Sequence, residues 1–149
     1  MKFKLIFFMV PLLALLYVAG CTNSSTEILK PPNLIISVDG NTIHPAVGTY
    51  SWSRENSDGT STAIHADSDA PPGLVKDQEP FIVTPSSEMT FDFETPPTKY
   101  EIRTWDEDYN VTGTFDKLDL SEHEGTNIFE VLAHWEQGTA SYAFLLRVK

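Results

Sequence analysis

Met89-Thr90-Phe91-Asp92-Phe93-Glu94 carries a large apolar side chain at every second position and a polar one between. Successive side chains of a β-strand point to opposite faces, so this period of two predicts a strand with one buried and one wet face. The same rhythm extends on both sides. Tyr100 to Trp105 follows Pro96-Pro97 and sets Tyr100 and Ile102 against Glu101 and Arg103, while Phe81 to Val83 is a short apolar run upstream. Asn127 to Trp135 and Ala140 to Val148 predict two long final strands, joined by a hairpin, Glu136 to Thr139, that turns at Gly138.

Towards the N-terminus, Leu34 to Val38 predicts a first strand, Asp39-Gly40-Asn41 a turn, and Thr42 to His44 a returning strand that Pro45 interrupts. Gly48 to Ser53 places Tyr50 and Trp52 on one face. Asn56 to Gly59 then turns the chain into a strand at Thr62 to Ala66. Asp106 to Asn110 predicts another turn, and Val111 to Phe115 another strand, followed by a loop through Gly125. No segment shows helical periodicity, and Asp67 to Pro80 reads as an irregular loop. About eight to ten short strands at this spacing predict an all-β domain, an immunoglobulin-like antiparallel β-sandwich over residues 34–149. Trp52, Trp105 and Trp135 are expected in its core or at the core's edge.

The chain has 149 residues, 41% hydrophobic and 21% charged, with one Cys, which fits a single domain. One thiol makes no internal disulfide and completes no structural zinc site. Lys2 and Lys4 precede an apolar run, Leu5 to Ala19, which ends in Val18-Ala19-Gly20-Cys21. As a helix its 15 residues would span roughly 22 Å, short of the ~30 Å hydrocarbon core, so a signal peptide is expected over residues 1–20. The small residues before Cys21 resemble the lipobox of bacterial lipoproteins. That resemblance implies cleavage between Gly20 and Cys21 and a diacylglyceryl thioether on Cys21, which anchors the chain to the cell membrane facing outward. Two acyl chains hold far more firmly than one.

Residues 21–33 read as the lipidated Cys and a polar tether closing on Pro31-Pro32, with a reach of about 20 Å. A partner is therefore expected close to the membrane. Loss of residues 1–20 removes two lysines and leaves 8 Lys+Arg against 21 Asp+Glu, a net charge of −13. Such a surface is repelled by phosphate backbones, so no nucleic acid is expected as a partner.

Gly48-Thr49-Tyr50-Ser51-Trp52, Ala66-Asp67 with Ala70-Pro71-Pro72, and Trp135 to Phe144 are similar to stretches of small lipoproteins of Gram-positive bacilli. The resemblance covers most of the domain. It implies the same location and fold and transfers no active-site residue, because its motifs are strand and turn signatures.

The search for chemistry yields little. His123-Glu124-Gly125-Thr126-Asn127 lacks the second His that a zinc-protease helix places at the fifth position, and Gly125 opposes the helix. A serine-hydrolase elbow, a phosphate-binding loop and a dinucleotide fingerprint are all missing from the sequence. No cofactor is expected. Asp106, Asp108 and Asn110 open like a calcium loop, but Val111 and Lys117 stand where Gly and the bidentate Glu belong, leaving them weak metal candidates. The long loop supplies the expected partner-contact residues: Asp67, Asp69, Pro71, Pro72 and Leu74. Alternatively, Leu74 and Val75 plug the edge of the sandwich. The function expected is a non-catalytic binding or sensing accessory domain that contacts a membrane or cell-wall protein. Two alternatives remain open: an envelope hydrolase using His65, Asp67 and Asp69, and a calcium-stabilised spacer.

Overall fold

The computed structural model describes residues 29–149. The expected signal peptide, Cys21 and the tether as far as residue 28 lie outside the described residues. Ten strands follow in order: β1 (Leu34–Val38), β2 (Asn41–Ile43), β3 (Ala46–Glu55), β4 (Ser61–Ala66), β5 (Phe81–Val83), β6 (Met89–Phe93), β7 (Lys99–Trp105), β8 (Val111–Phe115), β9 (Gly125–Trp135) and β10 (Gly138–Val148). One short helix, α1 (Pro71–Val75), lies between β4 and β5, and one 3-10 turn (Leu120–Glu122) precedes β9.

The strands form two sheets, a small one ordered β2-β1-β6 and a large one ordered β4-β3-β10-β9-β7-β8. All neighbours pair antiparallel except β5, which runs parallel to the end of β10. The all-β sandwich expected from the alternation is thus present. Leu34, Ile36 and Val38 of β1, with Phe91 and Phe93 of β6, face Ile102, Phe129, Val131, Trp135, Tyr142, Phe144 and Leu146 of the large sheet. Aromatic rings fill the middle: Phe129 stacks on Phe144 at 5.4 Å, and Trp52 meets Trp135 edge-on at 5.3 Å. Tyr142 is buried and donates a hydrogen bond to the carbonyl of Pro32, which fastens the end of the tether to β10.

The second face of the large sheet is also covered, and here the sequence reading needs correction. Residues 67–80 are not an irregular loop throughout. Pro71 and Pro72 stand at the first helical positions, where a missing N–H costs nothing, and α1 lies across β10, β9 and β3. Gly48 makes the close packing feasible, since a Cβ there would sit 3.0 Å from Ser141 Oγ and 3.3 Å from Leu74 Cδ1. The β3–β10 register slips between Ala140 and Tyr142, leaving Ser141 unpaired with β3 and aimed at this face.

Trp105 also belongs to this second face rather than the central core. By alternation it shares a side with Glu101 and Arg103, and its Nε1 donates to Glu130 Oε2 at 3.0 Å. His123 lies in the expected loop before β9, yet it is packed rather than free. Its ring sits edge-on between Phe115 and Phe129, at 5.2 and 5.4 Å, with Nε2 buried and lacking a hydrogen-bond partner.

Candidate functional site

The two sheets have unequal widths, and the mismatch opens one flank of the sandwich. β6 is the edge of the small sheet, bonded only to β1, and it stands above β7 of the large sheet. Between them runs a groove. One lobe, a cavity of about 590 Å³, is lined by Phe91, Phe93, Pro96, Pro97, Lys99 and Tyr100. The second, about 440 Å³, continues past Met89, Ile102, Lys117 and Leu118. Phe91, Tyr100 and Asp116 line both lobes, so the groove is continuous along the whole of β6. Each lobe falls within the ~300–1,000 Å³ common for binding clefts.

Aromatic packing builds the groove floor. Tyr100 lies 5.8 Å from Phe91 and 5.5 Å from Phe93, yet remains 36% exposed, a large apolar ring left open to a ligand. The polar row of β6 lies on its outer side, where Asp92 and Thr90 form the groove rim. There Asp92 accepts from Ser37 Oγ and Thr90 Oγ1, and Glu94 accepts from the backbone N–H of Asn33.

A second cluster lies beneath α1's side of the large sheet. Glu130 is 5% exposed, and its carboxylate accepts a short hydrogen bond from Ser141 Oγ besides the bond from Trp105. Arg103 Nη1 is 3.8 Å from Glu130 Oε2 and the same guanidinium bonds Glu101. Every polar atom of this carboxylate is engaged within the protein. The arrangement holds β7, β9 and β10 together, which is a structural task.

The residues singled out from sequence separate in the fold. Asp67 and Asp69 are exposed on the segment leading into α1, which Ser68 pins to Thr49 of β3. Pro71 and Pro72 are buried against the sheet and Leu74 is half-buried there, so these three pack in place rather than presenting a contact surface. The alternative role for Leu74 and Val75, covering apolar sheet surface, describes their position, although they cover a face and not an edge. His65 is exposed on β4, and none of the hydrogen bonds among the described residues joins it to Asp67 or Asp69.

Asp106, Asp108 and Asn110 share one turn. Asp106 Oδ1 accepts from the Asn110 backbone N–H at 2.8 Å, and the Asn110 side-chain amide binds the same carboxylate. Tyr109 takes a positive φ of 68° and reaches its hydroxyl over Gly73 of α1. Among the described residues no three His, Cys, Asp or Glu side chains are grouped to hold a metal ion.

Hydrogen bonds of this turn type lower carboxylate pKa values. Asp58 is held below its ordinary 3.8 chiefly by the Thr60 hydroxyl, Asp106 by the Asn110 backbone N–H, and Asp119 by the Ser121 hydroxyl. A carboxyl group with a depressed folded-state pKa stabilises the fold above its unfolded value and loses that contribution as pH falls through the folded one. The melting temperature is therefore expected to be flat above about pH 5 and to decline below about pH 4. Replacing Asp58, Asp106 and Asp119 together with Asn should lower the plateau and flatten the acid decline, measurable by thermal scans across pH. An unchanged acid slope in the triple variant would exclude these turns as its source.

Sequence reading did not find the groove. Its signal lies in the pattern used for the fold: the alternation gives Phe91 and Phe93 one face and Tyr100 and Ile102 another, and does not show that the flank between the two strands is open. For Glu130 the signal was a single carboxylate inside the apolar run Ile128 to Leu132. Comparison with protein-family models, with curated proteins and with solved structures finds no match to this chain.

Proposed function

We propose that this protein is a lipid-anchored, outward-facing domain of a bacterial cell membrane that binds a protein of the membrane or wall, without a catalytic step of its own. The groove along β6 carries the reading. It is continuous, apolar at its floor and placed on rigid strands, the features of a recognition cleft. The signal-peptide pattern, Cys21 and the tether support the location, and the −13 charge of the processed chain favours a cationic partner over nucleic acid.

The fold belongs, on this reading, with immunoglobulin-like sandwiches. The antiparallel run β10-β9-β7-β8 and the two-sheet core support the assignment; the small sheet has the three strands of one immunoglobulin sheet, while the large sheet, with seven, is wider than the usual four.

A photoreactive residue placed at Thr90 on the groove rim, at Asp67, or at Ser57 on the β3–β4 turn tests the reading in cells carrying the full-length chain. Thr90 or Asp67 is expected to give a discrete adduct with one envelope protein in the membrane fraction, and Ser57 none. With Cys21→Ser the chain should leave that fraction and the adduct should disappear. Absence of any adduct from both Thr90 and Asp67 in the anchored protein would overturn it.

A further inference from the structure

We infer that the groove is a strand-addition site: β6 takes up an extended polypeptide segment with apolar side chains on one face and basic side chains on the other, as a fourth strand of the small sheet. This rests on the binding-domain reading above and names its ligand class. The backbone supplies the first argument. Glu94 N–H donates to Asn33 C=O at 2.9 Å, so Glu94 turns its peptide groups towards β1. The antiparallel register, Leu34 opposite Phe93 through Val38 opposite Met89, is unbroken. Alternation then turns Asp92 and Thr90 towards β1 as well, and leaves the N–H and C=O of Met89, Phe91 and Phe93 facing the groove. Among the described residues the backbone bonds outside the ladders include none from these three to β7, β8 or the 116–124 loop. An extended chain lying in the groove satisfies them in the way that sheets accept a partner's strand.

Side chains specify the two faces of that segment. Residues of the added strand pointing inward would meet Tyr100, Ile102 and Leu118 beside Phe91, an apolar floor bordered by Lys99, Asp116 and Lys117. Those pointing outward would stand beside the outer row of β6, Thr90 and Asp92, which Glu88 and Glu94 flank at its two ends. Asp92 within the strand and Glu88 and Glu94 just beyond its ends favour Lys or Arg across from them, because opposite charges on neighbouring strands attract and like charges repel. The usual protection of an exposed edge, a Lys or Pro within the strand, is missing from Met89 to Phe93. The free edge of β4 is a weaker case, since its residues from Ser61 to His65 are exposed on both faces and offer no apolar floor. The described end of the tether is elsewhere: Leu29, Lys30 and Pro32 line a cleft with Trp52 and Arg54 of β3.

The test uses the full-length lipidated protein in detergent micelles and a fluorescent seven-residue peptide alternating Lys and Val. Anisotropy titration at physiological salt is expected to show binding at least tenfold tighter than for a peptide of the same composition with its lysines in one block. N-methylation of alternate backbone nitrogens should abolish the difference. Asp92→Lys, a surface change, should weaken binding at least tenfold, and Tyr100→Ala should do so too. Asp77→Lys, with the same charge change on an exposed residue beyond α1, should not. Equal binding of alternating and block peptides, or equal losses for Asp92→Lys and Asp77→Lys, would show charge attraction alone and overturn the proposal. So would an adduct from Thr90 that maps to residues 22–28 of the same chain or to a second copy. An adduct from Asp67 with none from Thr90 would remove the groove while leaving the binding-domain reading intact.

Discussion

Gly138→Ala is expected to be the most disruptive single methyl group that can be added to this chain. Gly138 opens β10 and pairs with both Trp135 of β9 and Trp52 of β3. A Cβ there would lie 1.9 Å from the carbonyl oxygen of Ser51 and 2.8 Å from its carbonyl carbon, both backbone atoms. No side-chain rotation relieves such a contact, so β3 must move away by about an ångström or the hairpin must open. Either response disturbs the Trp52–Trp135 contact and the bond from Ser53 N–H to Gln137 C=O. A loss of at least ~3 kcal/mol is expected, the upper range for overpacking. At an m-value of roughly 1.5 kcal/mol/M this moves the urea midpoint down by about 2 M. Gly59→Ala provides the contrast: nothing lies within 4 Å of its Cβ, and only its φ of +82° opposes a side chain. Its cost should stay near ~1 kcal/mol. Equal midpoints for the two variants would mean that the backbone approach at Ser51 carries no weight.

Glu130→Ala is expected to have the next largest effect, and Glu130→Gln a small one. Alanine removes the acceptor for Ser141 Oγ and for Trp105 Nε1 at a site only 5% exposed. Each stranded donor costs about 1–3 kcal/mol, so a total near ~3 kcal/mol is expected after Trp105 regains partial contact with water. Arg103 keeps its bond to Glu101 and adds little to the loss. Glutamine restores the arrangement without charge, its oxygen facing Trp105 and its amide donating to Ser141, and should lie within ~1 kcal/mol of the parent. Urea unfolding followed by tryptophan fluorescence reads both variants. If Ala and Gln prove equally stable, the cluster supplies no net hydrogen-bond energy and Glu130 serves some other purpose.

The strands were legible because period-two alternation is local. Met89 to Phe93 needs only its own sequence to show which side is buried, whereas β9 and β10 are marked by long apolar runs, with burial on both faces. Turn chemistry was legible for a related reason, since Gly59 and Gly138 mark conformations that other residues resist. Helix α1 was not legible. Five residues cannot display a helical period, and Pro71-Pro72 reads equally well as a loop until a sheet lies beneath it.

The partner-contact residues show the same limit. Acidic and proline-rich character makes residues 67–74 read as a surface, but burial of Pro71 and Pro72 depends on α1 lying on β3, β9 and β10, which are distant in sequence. Trp105 and His123 were assigned by type, a large ring to the core and an imidazole to a loop. Their surroundings arise from β8 and β9 arriving from elsewhere in the chain.

Strand alternation such as that of β6, the turns between strands, the acidic charge and the pattern ending at Cys21 are all local features of the chain. Each of these is written in residues a few positions apart, where backbone geometry and hydrophobicity act without help from the rest of the chain. Only the tertiary structure decided which edges stay unpaired, how far β6 stands from the strands of the opposite sheet, and which carboxylates are buried. Those depend on strand order and on the unequal widths of two sheets. Non-local pairing sets both, and the groove along β6 exists because three strands cannot cover seven.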